Sequence, residues 1–143
     1  MKIISALVLS LLASSAMAQF AKPEDAIKYR QSVFTVQANA FGAINAMNTG
    51  RVPFNAAVAQ SNAHIIATLS SLPWTAFGAG TESVKTKPEI WSDAAGFKAA
   101  GDKYQAAAAA LETAAKTGNA DQIKTAWGAL GATCKACHDA YRK

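Results

Sequence analysis

The sequence predicts an all-α protein, an antiparallel up-down-up-down bundle of four helices. Three observations predict it. Long stretches with apolar residues at helical spacing are separated by only a few Pro and Gly breaks. No run alternates apolar and polar residues as a strand would, and alanine, the strongest helix former, recurs up to the unbroken Ala106–Ala110. Two of the three connections are short, which favours antiparallel neighbours.

The first helix opens at Pro23, with Glu24 and Asp25 placed against the positive end of the helix dipole. It runs to about Met47, where Asn48-Thr49-Gly50 stops it. Pro53-Phe54-Asn55 opens a second helix, which Pro73 closes. A longer loop, Trp74 to Lys87, carries Gly78 and Gly80. Pro88 starts a third helix that continues to Lys116 and ends before Gly118. Asn119 caps a fourth, with Gln122 three residues on in the manner of a capping box.

Residues 1–18 read differently. Met1-Lys2 supplies a positive charge, Ile3 to Leu12 is almost wholly apolar, and Ala16-Met17-Ala18 is a small-x-small cleavage site. That order is a secretory signal peptide, too short in its apolar run for a membrane span. Cleavage after Ala18 leaves one domain, residues 19–143, with no second long apolar stretch and the expectation of a soluble, exported product. The formal charge of +5, one less without Lys2, is scattered along the chain with no basic run and no interleaved aromatics, which argues against a nucleic-acid partner.

The fourth helix carries the chemistry. Ile123, Trp127, Leu130, Cys134, Cys137 and Tyr141 follow at steps of four and three, an inward-facing seam. At 100° per residue, Cys134, Cys137 and His138 share about one third of the helix circumference. In an exported chain a bare Cys-x-x-Cys tends to a disulfide, so these thiols need another use or a redox role. In one reading they form thioethers with the two vinyl groups of a haem while His138 ligates the iron from one face. A thioredoxin-like redox pair would sit at a helix N-terminus after a strand, where the dipole lowers the thiol pKa; this pair lies near a helix C-terminus in an all-α chain. A zinc site would have to draw on His64, the one other histidine, and zinc sites usually take spaced pairs of ligands. Covalent haem is the reading the motif favours.

The iron's other face is then the question. On the first helix Ile27, Phe34, Ala38 and Phe41 form a stripe that is apolar except for Gln31, with Arg30 beside it and no Met or His. Met47 lies three to four turns beyond Phe34 and reads as a bundle-end core residue. His64 lies beside the apolar face of the second helix, not at its centre, and reads as a helix-surface histidine. The expectation is a five-coordinate iron with Phe34 or its neighbours over its open face. Bound O₂ gains anionic character and wants a hydrogen-bond donor, which a pocket walled by Phe34 lacks; CO and NO depend on one less.

These residues resemble cytochrome c′, the high-spin branch of the class II c-type cytochromes. The matching segments are Tyr29-Arg30-Gln31, Leu72-Pro73-Trp74 with Phe77-Gly78, Pro88-Glu89-Ile90-Trp91, and Cys134 through Lys143. A haem motif at the C-terminus is specific to this class. The up-down bundle is an architecture for which this family is itself a standing example, so family and topology are one expectation. The resemblance implies haem c, a periplasmic location, a homodimer, and a vacant iron face that takes NO and CO and discriminates against O₂. By motif position Arg30 and Gln31 contact the haem edge, Phe34 occupies the distal site, Trp74 lines the haem-side loop, and Arg142 sits near the proximal imidazole. Lys85 stands where many relatives have an acidic or other polar residue and is a candidate propionate contact. Phe34 departs from the leucine of some members, and its larger ring should hinder distal ligands further.

Simpler roles compete for some of these residues. Arg30 could be a surface arginine, and Arg142 a solvated cation favourable to the helix dipole. Trp127 and Tyr141 read as packing. The functional expectation is a sensor or scavenger of diatomic gas, with an electron-transfer carrier between periplasmic redox partners as the alternative. A peroxidase-like enzyme is disfavoured, because no distal His/Arg pair accompanies Phe34 for acid–base work.

Overall fold

A computed structural model describes residues 19–143, and the signal peptide expected over residues 1–18 lies outside them. Five α-helices follow in order, four of them long, and no strand forms among the described residues. Helix α1 spans Pro23–Asn48, with Pro23 in its first turn beside Glu24 and Asp25. Gly50, at φ 70°, takes the chain out of it. Helix α2 spans Ala56–Leu69 and begins where Asn55 Oδ1 accepts the Val58 amide at 3.1 Å. Pro73 then opens a 3₁₀ turn, Pro73–Ala76.

The expected third helix is two helices. α3, Glu89–Ser92, ends at Asp93, which leaves helical geometry at φ −118° and ψ 57°. Asp93 caps α4, Ala94–Lys116, by accepting the Gly96 amide at 3.0 Å on Oδ1, and its Oδ2 accepts the Tyr141 hydroxyl at 2.9 Å. A free capping carboxylate with a second donor from the last helix outweighs unbroken helix propensity. Gly96 is required there, since a Cβ would come within 2.6 Å of the Tyr141 hydroxyl.

Helix α5 runs Ala120–Tyr141, and Asn119 Oδ1 accepts the Asp121 and Gln122 amides, each at 3.0 Å. The three residues after it are tied back to the loop before α3. Lys87 N–H donates to Tyr141 O at 3.0 Å, Lys143 N–H donates to Lys85 O at 3.1 Å, and Thr86 bridges Arg142.

The long helices pack in ring order, α1 on α2, α2 on α4 and α4 on α5, with α1 and α5 meeting more sparsely. The core joins Ile44, Met47, Ile66, Leu111, Ile123 and Leu130 to the fully buried alanines Ala59, Ala63 and Ala108, small side chains that let neighbouring helices approach closely. Met47 belongs to this core, and its sulfur accepts the Asn55 amide at 3.4 Å across the α1–α2 turn. No helix among the described residues is long and apolar enough to cross a membrane.

Candidate functional site

The seam predicted on α5 is present. Ile123, Leu130 and Tyr141 are buried, while Trp127, Cys134 and Cys137 are half-buried along the same line. Both cysteines are free thiols. Burial pushes the pKa of each above the usual thiol value, and for Cys137 the neighbouring Cys134 adds to it. Such thiols make poor thiolates, the reverse of what a dithiol redox motif needs. Among the described residues no three His, Cys, Asp or Glu side chains converge enough to share an ion.

His138 follows one residue on, with its ring at the exposed edge of the helix. Partial burial and the Arg142 cation lower its pKa, and Asp139 opposes them. The imidazole is thereby favoured in the neutral form, the form that ligates a metal. Arg142 is exposed one turn beyond, its backbone N–H donating to His138 O at 3.0 Å.

The opposite wall comes from α1 and the chain after α2. Phe41 of α1 stacks on Trp127 of α5, with ring centroids 4.5 Å apart, and the Trp127 indole N–H donates to Phe41 O at 3.0 Å. Gly131 accepts the edge of the same ring, because a Cβ there would lie 3.2 Å from Phe41 Cζ. This contact sets the register of two antiparallel helices. Seven residues back from Phe41 is Phe34, and seven residues forward from Gly131 is His138, a rise of about 10 Å on each helix. Phe34 and His138 therefore stand at the same height on facing helices.

Around Phe34 the wall is aromatic. Its ring meets Trp74 edge-on at 6.1 Å, and Trp74 meets Phe97 at 5.7 Å and Tyr104 at 6.1 Å. Trp74 is held by its indole N–H donating to Ser70 O at 2.7 Å and lies against Gly101, where a Cβ would come within 3.1 Å of its ring. Tyr104 is buried deeply enough to push its phenol pKa well above the ordinary value, and Cys134 lies close enough to contribute.

Arg30 is not a surface arginine. It is 3% exposed, its guanidinium donates to Ala76 O at 2.7 Å, Thr81 Oγ1 at 3.0 Å and Thr81 O at 2.6 Å, and it lies 4.3 Å from the centre of the Phe77 ring. It clamps residues 76–81 onto α1. Gln31 is exposed on the outer side of α1, and Lys85 is exposed in the loop with its carbonyl taken by Lys143. The anchor Thr81, 5% exposed, was not singled out by the sequence. Only its place after Gly80, at φ 80°, hints at the turn it holds.

His64 is exposed on α2 and pairs with α4. Its Nδ1 is 2.8 Å from Glu112 Oε1 on α4, and Glu112 is also 3.5 Å from Lys116 Nζ. These partners hold the Glu112 carboxyl below its usual range, the His64 hydrogen bond first among them. A His64→Ala variant is expected to leave the visible absorption spectrum of the loaded protein unchanged; an altered spectrum would make His64 a ligand.

The donor set fits a covalently held haem. Two unpaired thiols one turn apart suit two thioethers, the neighbouring neutral imidazole suits iron, and the facing wall is a large apolar surface closed by Phe34, Trp74 and Tyr104.

The family model described as Cytochrome C′ matches residues 25–142. Cytochrome c′ of Rubrivivax gelatinosus is 54% identical over 128 residues, covering 87% of this chain and 99% of the relative. Its crystal structure superposes with a TM-score of 0.84 at 54% identity, covering 87% of this chain and all of that one. A nitric oxide complex of a leucine-to-alanine mutant of cytochrome c prime from Alcaligenes xylosoxidans is similar at a TM-score of 0.83 and 50% identity, covering 87% of this chain and 98% of that one. A carbon monoxide-bound leucine-to-glycine variant of the same protein gives 0.83, 50%, 87% and 99% in turn.

Proposed function

Because the chain belongs to the cytochrome c′ family, with haem c as its covalently attached cofactor, we propose that it is a periplasmic binding protein for diatomic gases, NO and CO, acting as sensor or scavenger. The leader read from residues 1–18 supports export. Gas complexes of the Alcaligenes xylosoxidans relative support the ligand class. The observation that carries the reading is the placement of Phe34 level with His138, on the facing helix and backed by Trp74.

In this reading Cys134 and Cys137 would anchor the macrocycle and His138, favoured in the neutral form by its surroundings, would ligate its iron. When bound, the haem would supply the iron to which a diatomic ligand adds. Phe34 would cover the ligand's side of the haem with hydrocarbon, and the Phe34–Trp74–Tyr104 wall would keep water out. Arg30 holds residues 76–81, the loop that follows Trp74. Gln31 at the haem edge and Lys85 at a propionate rest on the resemblance, and both are exposed. Arg142 stands one turn from His138, able to steady a ligand on the proximal side by charge and hydrogen bonding. A homodimer through the outer faces of α1 and α2 is supported by the exposure of Val36 and Val58 there.

The test is CO association to the reduced protein. Phe34→Ala removes bulk from the path, and association is expected to quicken at least ~10-fold, equivalent to ~1.4 kcal/mol off the barrier. Unchanged kinetics would remove Phe34 from the gate.

A further inference from the structure

Gln37 is 4% exposed, on the buried side of α1, and neither Nε2 nor Oε1 of its carboxamide has a hydrogen-bond partner among the described residues. It lies one turn beyond Phe34. By the Phe41–Gly131 register, four residues back on α1 corresponds to four forward on α5, which brings Gln37 level with Lys135, next to Cys134, and within one turn of the height of His138. Burying an amide without partners costs roughly 1–3 kcal/mol, and an apolar residue of like size would avoid it. Within the turns on either side, the inward positions of α1 are otherwise apolar: Val33, Phe34, Ala40 and Phe41.

A buried group with two N–H donors and one carbonyl, set in hydrocarbon beside the proposed gas site, is suited to a partner that arrives from outside the protein. We propose that the Gln37 carboxamide donates a hydrogen bond to the diatomic ligand on the open side of the haem. The inference rests on the gas-binding reading above. It also revises the sequence's expectation of a pocket without donors. Phe34 supplies bulk and Gln37, one turn on, supplies polarity, so ligand entry and ligand retention are governed by different residues. A donor in a dry apolar pocket acts on a developing negative charge with little screening.

The test is the C–O stretching frequency of the reduced, CO-bound holoprotein, measured in the unaltered chain, in Gln37→Leu and in Gln37→Met. Loss of the donor is expected to raise the frequency in both variants. NO dissociation is expected to quicken about fivefold, the equivalent of a neutral hydrogen bond. A frequency unchanged in both variants would overturn the proposal and leave gas binding intact. An unaltered holoprotein that carries haem but shows no CO band would overturn the gas-binding reading, and the proposal with it. Gln37→Met, close to glutamine in shape, keeps the test decisive if the leucine variant loads haem poorly.

Discussion

Exported chain carrying Cys134→Ser together with Cys137→Ser is expected to lose all covalent haem. Denatured in acid, it should show the mass of the polypeptide alone, where the unaltered chain shows polypeptide plus one macrocycle. The reason is chemical: a serine hydroxyl does not form the thioether that a thiol makes with a vinyl group, and the two cysteines are the only ones in the sequence. Both are free, half-buried and raised in pKa by burial. Each single variant retains one possible attachment and should still show the added mass. Covalent haem surviving in the double variant would remove the cysteines from the account.

The second large effect concerns stability. Arg30→Met keeps the length of the stem and removes three hydrogen bonds from a site that is 3% exposed. Ala76 O and both oxygens of Thr81 then lose their charged donor, and the contact with the Phe77 ring is lost as well. Hydrogen bonds to charged groups contribute about 1.5–3 kcal/mol each and are not additive, so about 3 kcal/mol of total loss is expected. For a domain of this size that corresponds to about 10 °C in Tm. Thr81→Val should cost less, because it removes one of the three acceptors, and the double variant should cost less than the sum. Calorimetry of the haem-loaded protein measures all three. A change under about 0.5 kcal/mol for Arg30→Met, the range of ordinary surface substitutions, would contradict the clamp.

The four long helices were legible because their ends are written in local chemistry. Pro23, Asn55, Gly50, Gly118 and Asn119 act within a turn of where they sit, and each does in the fold what its residue type suggests. The break at Asp93 was not legible, because it depends on a donor 48 residues away, the Tyr141 hydroxyl. A Ser-Asp pair inside a helical pattern was the available signal. At the site, Cys134, Cys137 and His138 announce themselves by spacing, and Phe34 by its stripe. The role of Arg30 required the position of the 76–81 loop, which helical periodicity cannot supply. Gln37 passed unnoticed for a related reason: a lone polar residue near an apolar stripe looks like its solvent edge until the helix is rotated into the bundle, where it is buried.

The most direct measurement is electron paramagnetic resonance of the exported, haem-loaded protein, ferric and then reduced under NO. A high-spin ferric signal, converting on reduction to that of an NO-bound haem, is the predicted result. A low-spin ferric signal that vanishes on reduction, with no NO-bound haem signal replacing it, would mean a second strong axial ligand in place of the opening beneath Phe34, and would make the protein an electron carrier instead.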